Sequence, residues 1–142
     1  MTMSCDILIA GGGMVGGTLA CALGGSGLRI VVIEPQAHTA TERVAGLRVS
    51  AITPASQTVF ENVGAWAGMR TPRADMTGAV FLPAPVEAMR IREDNSILNF
   101  DSADIGEPCL AWIVENSVIV AALAARMRQF PNIEVLSPAR VD

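Results

Sequence analysis

Between Ile7 and Pro35 the chain reads ILIAGGGMVGGTLACALGGSGLRIVVIEP, and four glycines (Gly11, Gly12, Gly13, Gly16) fall within six positions between two apolar runs. Glycine at that density is costly, because glycine loses more backbone freedom on folding than any other residue. A chain that accepts the cost needs bare backbone where side chains would collide, and the flanks say where. Cys5–Ala10 is a short apolar run of the kind that fills a buried parallel strand. From Met14 to about Gly24, Val15, Leu19 and Leu23 recur at four-residue spacing, a helical stripe of the kind that faces a core. Leu28–Ile33, "LRIVVI", is a second apolar, β-branched run. Strand, glycine turn, helix and strand within about thirty residues make one βαβ unit.

The register of the glycines is specific. Gly11-x-Gly13-x-x-Gly16 follows a strand and opens a helix, and Ala20, Leu23, Gly27, Ile30 and Glu34 continue the pattern at fixed offsets. Gly11 lets the chain turn tightly out of the strand, and Gly13 lets backbone approach a pyrophosphate with no Cβ in the way. Gly16 and the small Ala20 let the helix pack closely on the sheet. The first helical N–H groups then point at the ligand, and the helix dipole favours its negative charge. Glu34, ending the second strand, can accept hydrogen bonds from both hydroxyls of an adenosine ribose and would repel a 2′-phosphate, which argues against NADP here. The motif does not separate FAD from NAD. Its start at residue 7 and the presence of Arg48, whose guanidinium could swing back to the pyrophosphate, both favour FAD.

The rest of the chain bounds the reading. At 142 residues, with 51% hydrophobic and 17% charged residues, it is one domain's length and neither disordered nor fibrous. A net charge of −4 with scattered arginines gives a nucleic-acid backbone nothing to hold. Cys5, Cys21 and Cys109 have no CxxC spacing, and the single His38 has no partner for a zinc site or a catalytic pair. Dispersed thiols point to a reducing compartment. The first apolar run has no basic region before it and is broken at once by glycines, so it reads as neither a signal peptide nor a membrane span. Pro35–Val49 is polar and aperiodic and reads as a loop. Thr53-Pro54 looks like a cap and first turn, with Val59, Phe60 and Val63 as the apolar face and Gly64 at the end. Residues 76–100 read as short strands with turn punctuation and Leu110–Val114 as another strand. Asn116 or Ser117 can cap a helix to about Gln129, with Ile119, Leu123 and Met127 on one face, and Ile133–Leu136 is a last strand.

Three stretches, "DILIAGGGMVGGTLACALGGSGLRIVVIE", "LRVSAITPASQTVFENVGAW" and "WIVENSVIVAAL", together resemble the ubiquinone-biosynthesis aromatic hydroxylases, FAD-dependent monooxygenases of the p-hydroxybenzoate hydroxylase type. The first stretch is shared by many flavoproteins, and the other two are more specific to the family. The resemblance implies an α/β fold: a Rossmann-like FAD-binding βαβ unit with a parallel sheet and short additional strands, truncated relative to the family. Residues 1–142 would be the N-terminal part of the FAD-binding domain, with about 76–100 in a strand-rich insertion on the substrate side. It further implies that NAD(P)H reduces the flavin and that oxygen passes from O2 to the ring of a polyprenylated phenol. By position, Gly11, Gly13, Met14 and Val15 would line the pyrophosphate and Glu34 would hold the ribose, with Gly16 counted among the cofactor-binding residues. Arg48 matches a cofactor-contacting arginine, Glu115 a polar residue at a strand–helix junction, and Val141 a backbone position beside the adenine. Glu115 also reads as an ordinary first-turn acid.

The family's Asp-Gly and Gly-Asp motifs fall beyond residue 142, so the chain reads as the N-terminal third of a hydroxylase, inactive alone and weak for FAD. No residue in it stands out as a catalytic acid, base or nucleophile, which suits chemistry carried by a cofactor. The expected location is cytoplasmic, with peripheral inner-membrane or biosynthetic-complex association left open. An uncovered edge on the first strand predicts self-association. The competing readings are a small NAD-binding module and a non-catalytic dinucleotide-binding fragment.

Overall fold

The computed structural model describes residues 4–36, 48–74 and 80–141. His38 and most of the polar segment that follows Pro35 lie outside these ranges, as do positions 76–79 of the strand-rich stretch. In chain order the elements are β1 (Ile7–Ala10), α1 (Met14–Ala22), β2 (Ile30–Ile33), β3 (Val49–Ile52), α2 (Pro54–Asn62), α3 (Trp66–Met69), β4 (Arg73–Ala74), β5 (Val80–Phe81), β6 (Ala84–Val86), β7 (Ala88–Glu93), β8 (Ser96–Asp101), β9 (Ala111–Glu115), α4 (Asn116–Met127) and β10 (Ile133–Leu136).

The βαβ unit forms as expected. β1 and β10 flank β2 in a parallel sheet, with Ile7 opposite Ile30 on one side and Ile133 opposite Ile30 on the other. β2 is apolar throughout because it is enclosed between two strands, and Ile30, Val31 and Val32 are fully buried. Burial of each such side chain contributes about 1.5–3 kcal/mol. Among the described residues β1 has a partner on one side only.

The buried face of α1 differs from the expected stripe. Val15 is 85% exposed and Leu19 49%, whereas Gly17, Ala20 and Cys21 are buried. The reason is the partner. α4 presents the expected large residues, Ile119, Leu123 and Met127, all buried, and α1 meets them with small ones. A Cβ on Gly17 would stand 3.3 Å from the Leu123 Cβ, and the Cys21 thiol donates to the Leu123 carbonyl at 3.7 Å. Burial pushes that thiol up to about 11, against a smaller opposing pull from Arg126. It therefore stays protonated at neutral pH and acts as a small apolar filler.

A second sheet, ordered β3-β9-β6 and antiparallel, stands beside the first. The polar segment expected to run as loop to Val49 ends at Arg48. Val49–Ile52 is a strand, so Arg48 leads into β3 and not directly into a helix. The helix begins where the cap predicts: Thr53 Oγ1 accepts from the Ser56 amide at 3.3 Å, with Pro54 in the first turn. Phe60 and Val63 turn inward, Val59 faces out, and Gly64 closes α2 with φ +75°. The Trp112 indole donates to Gln57 Oε1 at 2.9 Å and packs edge-on against Trp66, tying β9 to α2 and α3. β7 and β8 form an exposed hairpin in which Met89 pairs with Phe100 and Ile91 with Leu98.

The glycine turn allows a test of which positions the fold itself requires. A Cβ on Gly16 would lie 1.9 Å from the Gly11 carbonyl oxygen, a backbone atom that cannot swing aside, whereas a Cβ on Gly13 would meet nothing within 4 Å. Gly16→Ala is expected to cost about 3 kcal/mol or more, and Gly13→Ala less than about 1 kcal/mol. Urea midpoints followed by circular dichroism read both; equal midpoints for the two variants would contradict this packing.

Candidate functional site

The site is built at the carboxyl end of the parallel sheet. As β1 ends, the Gly11 amide donates to the Ile33 carbonyl at 2.8 Å, holding the start of the turn to β2. Gly11 then takes φ +103°, a conformation that side-chain-bearing residues rarely adopt. Gly13 is the N-cap of α1 in extended conformation, and its carbonyl accepts the first helical bond, from Gly17, at 2.8 Å. The helix backbone at Gly16 therefore rests on the Gly11 carbonyl.

The turn frames an open cradle. A Cβ on Gly11 or on Gly13 would meet no atom within 4 Å. α1 has no side-chain cap and no acid in its first turn. The leading amides of such a helix lack intrahelical acceptors, so those of Met14 and Val15 are left for an outside anion, with the positive end of the helix dipole behind them. These two observations fit a diphosphate: space where a side chain would intrude, and donors that no carboxylate of the turn has claimed.

Glu34 sits beside this cradle and does more than the sequence suggests. It is 7% exposed, and its Oε2 accepts from the Gly12 amide at 2.7 Å while its Oε1 accepts from the Gln36 amide at 2.9 Å. The carboxylate thus fastens the glycine turn to the end of β2 through charge-assisted bonds. The chain after β10 runs along the same edge, with the Ala139 amide on the Glu34 carbonyl at 2.9 Å and Ser137 Oγ donating to the Gln36 carbonyl at 2.7 Å. Val141, two residues further on, is exposed beside that end of the sheet.

Arg48 and Glu115 arrive from the second sheet. The Asn116 amide donates to the Arg48 carbonyl at 3.0 Å, and Val49 pairs with Glu115 in the β3–β9 register. The Arg48 side chain is exposed. Ser50, on the other face of β3, donates to Asn116 Oδ1 at 2.7 Å and lies 4.0 Å from Met14 Sδ, which joins this sheet to the first turn of α1. Glu115 is the N-cap residue of α4 but makes no side-chain cap. Its Oε2 meets Arg73 Nη2 at 3.3 Å and Ser117 Oγ at 3.4 Å. Gly11, Gly13, Met14, Gly16 and Glu34 therefore form one cluster, with Val15 exposed on the same first turn. Arg48 and Glu115 share a neighbouring junction, and Val141 lies at the far edge. Gly12, Ser50, Asn116 and Arg73 complete the neighbourhood. Of these, Gly12 stood out in the sequence as one of the four glycines and Asn116 as a candidate cap, whereas Ser50 and Arg73 carried no signal of their own. Among the described residues no group of three His, Cys, Asp or Glu side chains could hold a metal ion, and no helix is long and apolar enough to cross a membrane.

Comparison with solved structures identifies the fold. The fold matches p-nitrophenol 4-monooxygenase PnpA from Pseudomonas putida DLL-E4 with a TM-score of 0.71 and 19% identity, over 100% of this chain and 34% of that one. It is the fold of FAD-dependent monooxygenases. No family model matches the chain, but sequence relatives narrow the class. The chain is 35% identical over 143 residues to ubiquinone hydroxylase UbiL of Rhodospirillum rubrum, covering 96% of this chain and 30% of that protein. It is 30% identical over 136 residues to the 3-demethoxyubiquinol 3-hydroxylase of Escherichia coli, covering 94% and 32%. The chain is a homologue of the ubiquinone-biosynthesis hydroxylases and spans about 30% of their length.

The two amide bonds to Glu34 make a prediction of their own. Glu34→Gln keeps one acceptor and sets an NH2 group against a backbone donor, which is expected to cost about 1–3 kcal/mol of stability. Urea unfolding measures this, and an unchanged midpoint would show that the carboxylate does not hold the turn.

Proposed function

We propose that this chain is the N-terminal, FAD-binding portion of a flavin-dependent monooxygenase that hydroxylates a polyprenylated phenol in ubiquinone biosynthesis, using NAD(P)H and O2. The observation that carries the reading is the open cradle at Gly11–Gly16 with the buried Glu34 at its side, in a chain related throughout to hydroxylases of that pathway. In this reading the amides of Met14 and Val15 take the pyrophosphate and Glu34 takes the ribose while holding the turn. Arg48 reaches the phosphates from the second sheet, and the segment ending at Val141 borders the adenine. Bound FAD would supply the redox and oxygen-transfer chemistry, and the chain's own residues bind and orient it. Residues about 76–100 are the strand-rich insertion on the substrate side; the exposure of both strands of the β7–β8 hairpin is consistent with this.

The proposal also sets a strength. The resemblance puts the groups that grip the ribityl chain and the ring system outside this stretch, and each absent hydrogen bond to a charged phosphate forfeits roughly 1.5–3 kcal/mol. Titration of FAD into the chain, followed by flavin fluorescence, is expected to give a dissociation constant above about 1 μM. In the full-length protein Gly13→Val is expected to purify without flavin. Stoichiometric flavin in that variant would contradict the placement of the cofactor, and tighter binding of NAD than of FAD would favour a small NAD-binding module.

A further inference from the structure

Arg48 is the cation that the dinucleotide reading brings to the phosphates, yet its side chain is exposed and no hydrogen bond or ion pair to a described residue holds its guanidinium. A long side chain loses rotamer freedom whenever a ligand immobilises it, and that loss is subtracted from the affinity. What the fold can prepare in advance is the point from which the side chain springs, the backbone at the start of β3.

That backbone is clamped at two points by one residue. Asn116, in the first turn of α4, donates its amide to the Arg48 carbonyl at 3.0 Å and accepts from the Ser50 hydroxyl at its Oδ1 at 2.7 Å. The two bonds reach residues two apart on β3, so together they fix the position of the strand end and its rotation about its own axis. One bond alone would leave the rotation free. Ser50 has a single hydroxyl proton, and the 2.7 Å bond takes it, so the approach to Met14 Sδ at 4.0 Å is packing. The hydroxyl thus stands where the first turns of α1 and α4 come together, beside the residue whose amide opens the cradle. No other side chain of β3 can do this. Val49 and Ala51 lie on the opposite face of the strand, and Ile52 has no polar atom to offer.

We propose that Ser50 is a positioning residue for the dinucleotide: through Asn116 it sets the start of β3 so that the Arg48 guanidinium arrives at the diphosphate already placed. The proposal rests on the reading of the glycine turn as a diphosphate site. Because Ser50 acts through Arg48, its contribution to binding exists only while Arg48 is present.

The test titrates the chain with ADP and reads the amide chemical shifts of Gly11–Val15 in the unaltered chain, Ser50→Ala, Arg48→Gln and the double variant. Arg48→Gln is expected to weaken ADP binding at least about tenfold, the scale of one hydrogen bond to a charged group. Ser50→Ala is expected to weaken it about threefold to tenfold with Arg48 in place, and less than about 1.5-fold in the Arg48→Gln background. Asn116→Ala removes the same bond from the other side and keeps the backbone amide, so it should give the same loss with the same dependence on Arg48. Either variant alone completes the cycle, and retained shift dispersion checks that each is folded. A Ser50 that only stabilises the fold would lower ADP affinity equally in both backgrounds. That result would overturn the proposal, as would an unchanged affinity in Ser50→Ala or in Arg48→Gln, while leaving the diphosphate site standing. Absence of ADP-induced shifts at Gly11–Val15 in the unaltered chain would overturn the diphosphate reading itself, and the proposal with it.

Discussion

Helix α1 can lie where it does only because the Gly16 backbone rests on the carbonyl of Gly11, with no room for even one carbon between them. That contact fixes the angle at which the helix leaves the sheet. It also places the leading amides of α1 over open space beyond Gly13 and lets Gly17, Ala20 and Cys21 settle against α4. Protein interiors are close-packed enough that one methyl group at such a point must displace a whole element. The same contact thus serves stability and function: removing side chains where helix meets strand leaves the donors bare, and bare donors at a helix N-terminus are an anion site.

The charge that faces this turn from the sheet is Glu34, and it has two parts to play. As a buried carboxylate it needs hydrogen-bond donors, and it finds the amides of Gly12 and Gln36. In doing so it joins the end of β2 to the turn and keeps an acceptor-rich group at the rim of the cradle. The second sheet contributes through Ser50, whose hydroxyl donates to Asn116 Oδ1 at the start of α4 and also lies against Met14 Sδ in the first turn of α1, while the Asn116 amide holds the Arg48 carbonyl.

Much of this was legible because the informative residues are local. The turn, both strands of the βαβ unit, the Thr53 cap and Ile133–Leu136 each depend on neighbours within a few positions, and pattern alone places them. The inward face of α1 was not legible in the same way. Its Val15 and Leu19 carry the hydrophobic signal and face outward, while small residues carry the packing, and a stripe count gives small residues little weight. β3 was missed because a four-residue strand sits directly between a polar segment and a helix cap, and only its pairing with β9, some sixty residues on, makes it a strand. The ion-pair partner of Glu115 was hidden for that reason too: Arg73 reaches it from β4, far away along the chain. What links the chain to flavin chemistry was legible as motif, and what surrounds the motif was legible only as structure.

The account stands on the claim that the amides opening α1 are held ready for a diphosphate, and amide hydrogen exchange read by NMR tests that claim most directly. Without ligand, the Met14 and Val15 amides are expected to exchange rapidly, because no acceptor within the helix protects them. On saturation with ADP they should slow markedly, together with the amide of Gly13, while the amides of β9 and α4 stay as they were. Protection that appears elsewhere, or a first turn whose exchange ADP leaves unchanged, would contradict the account.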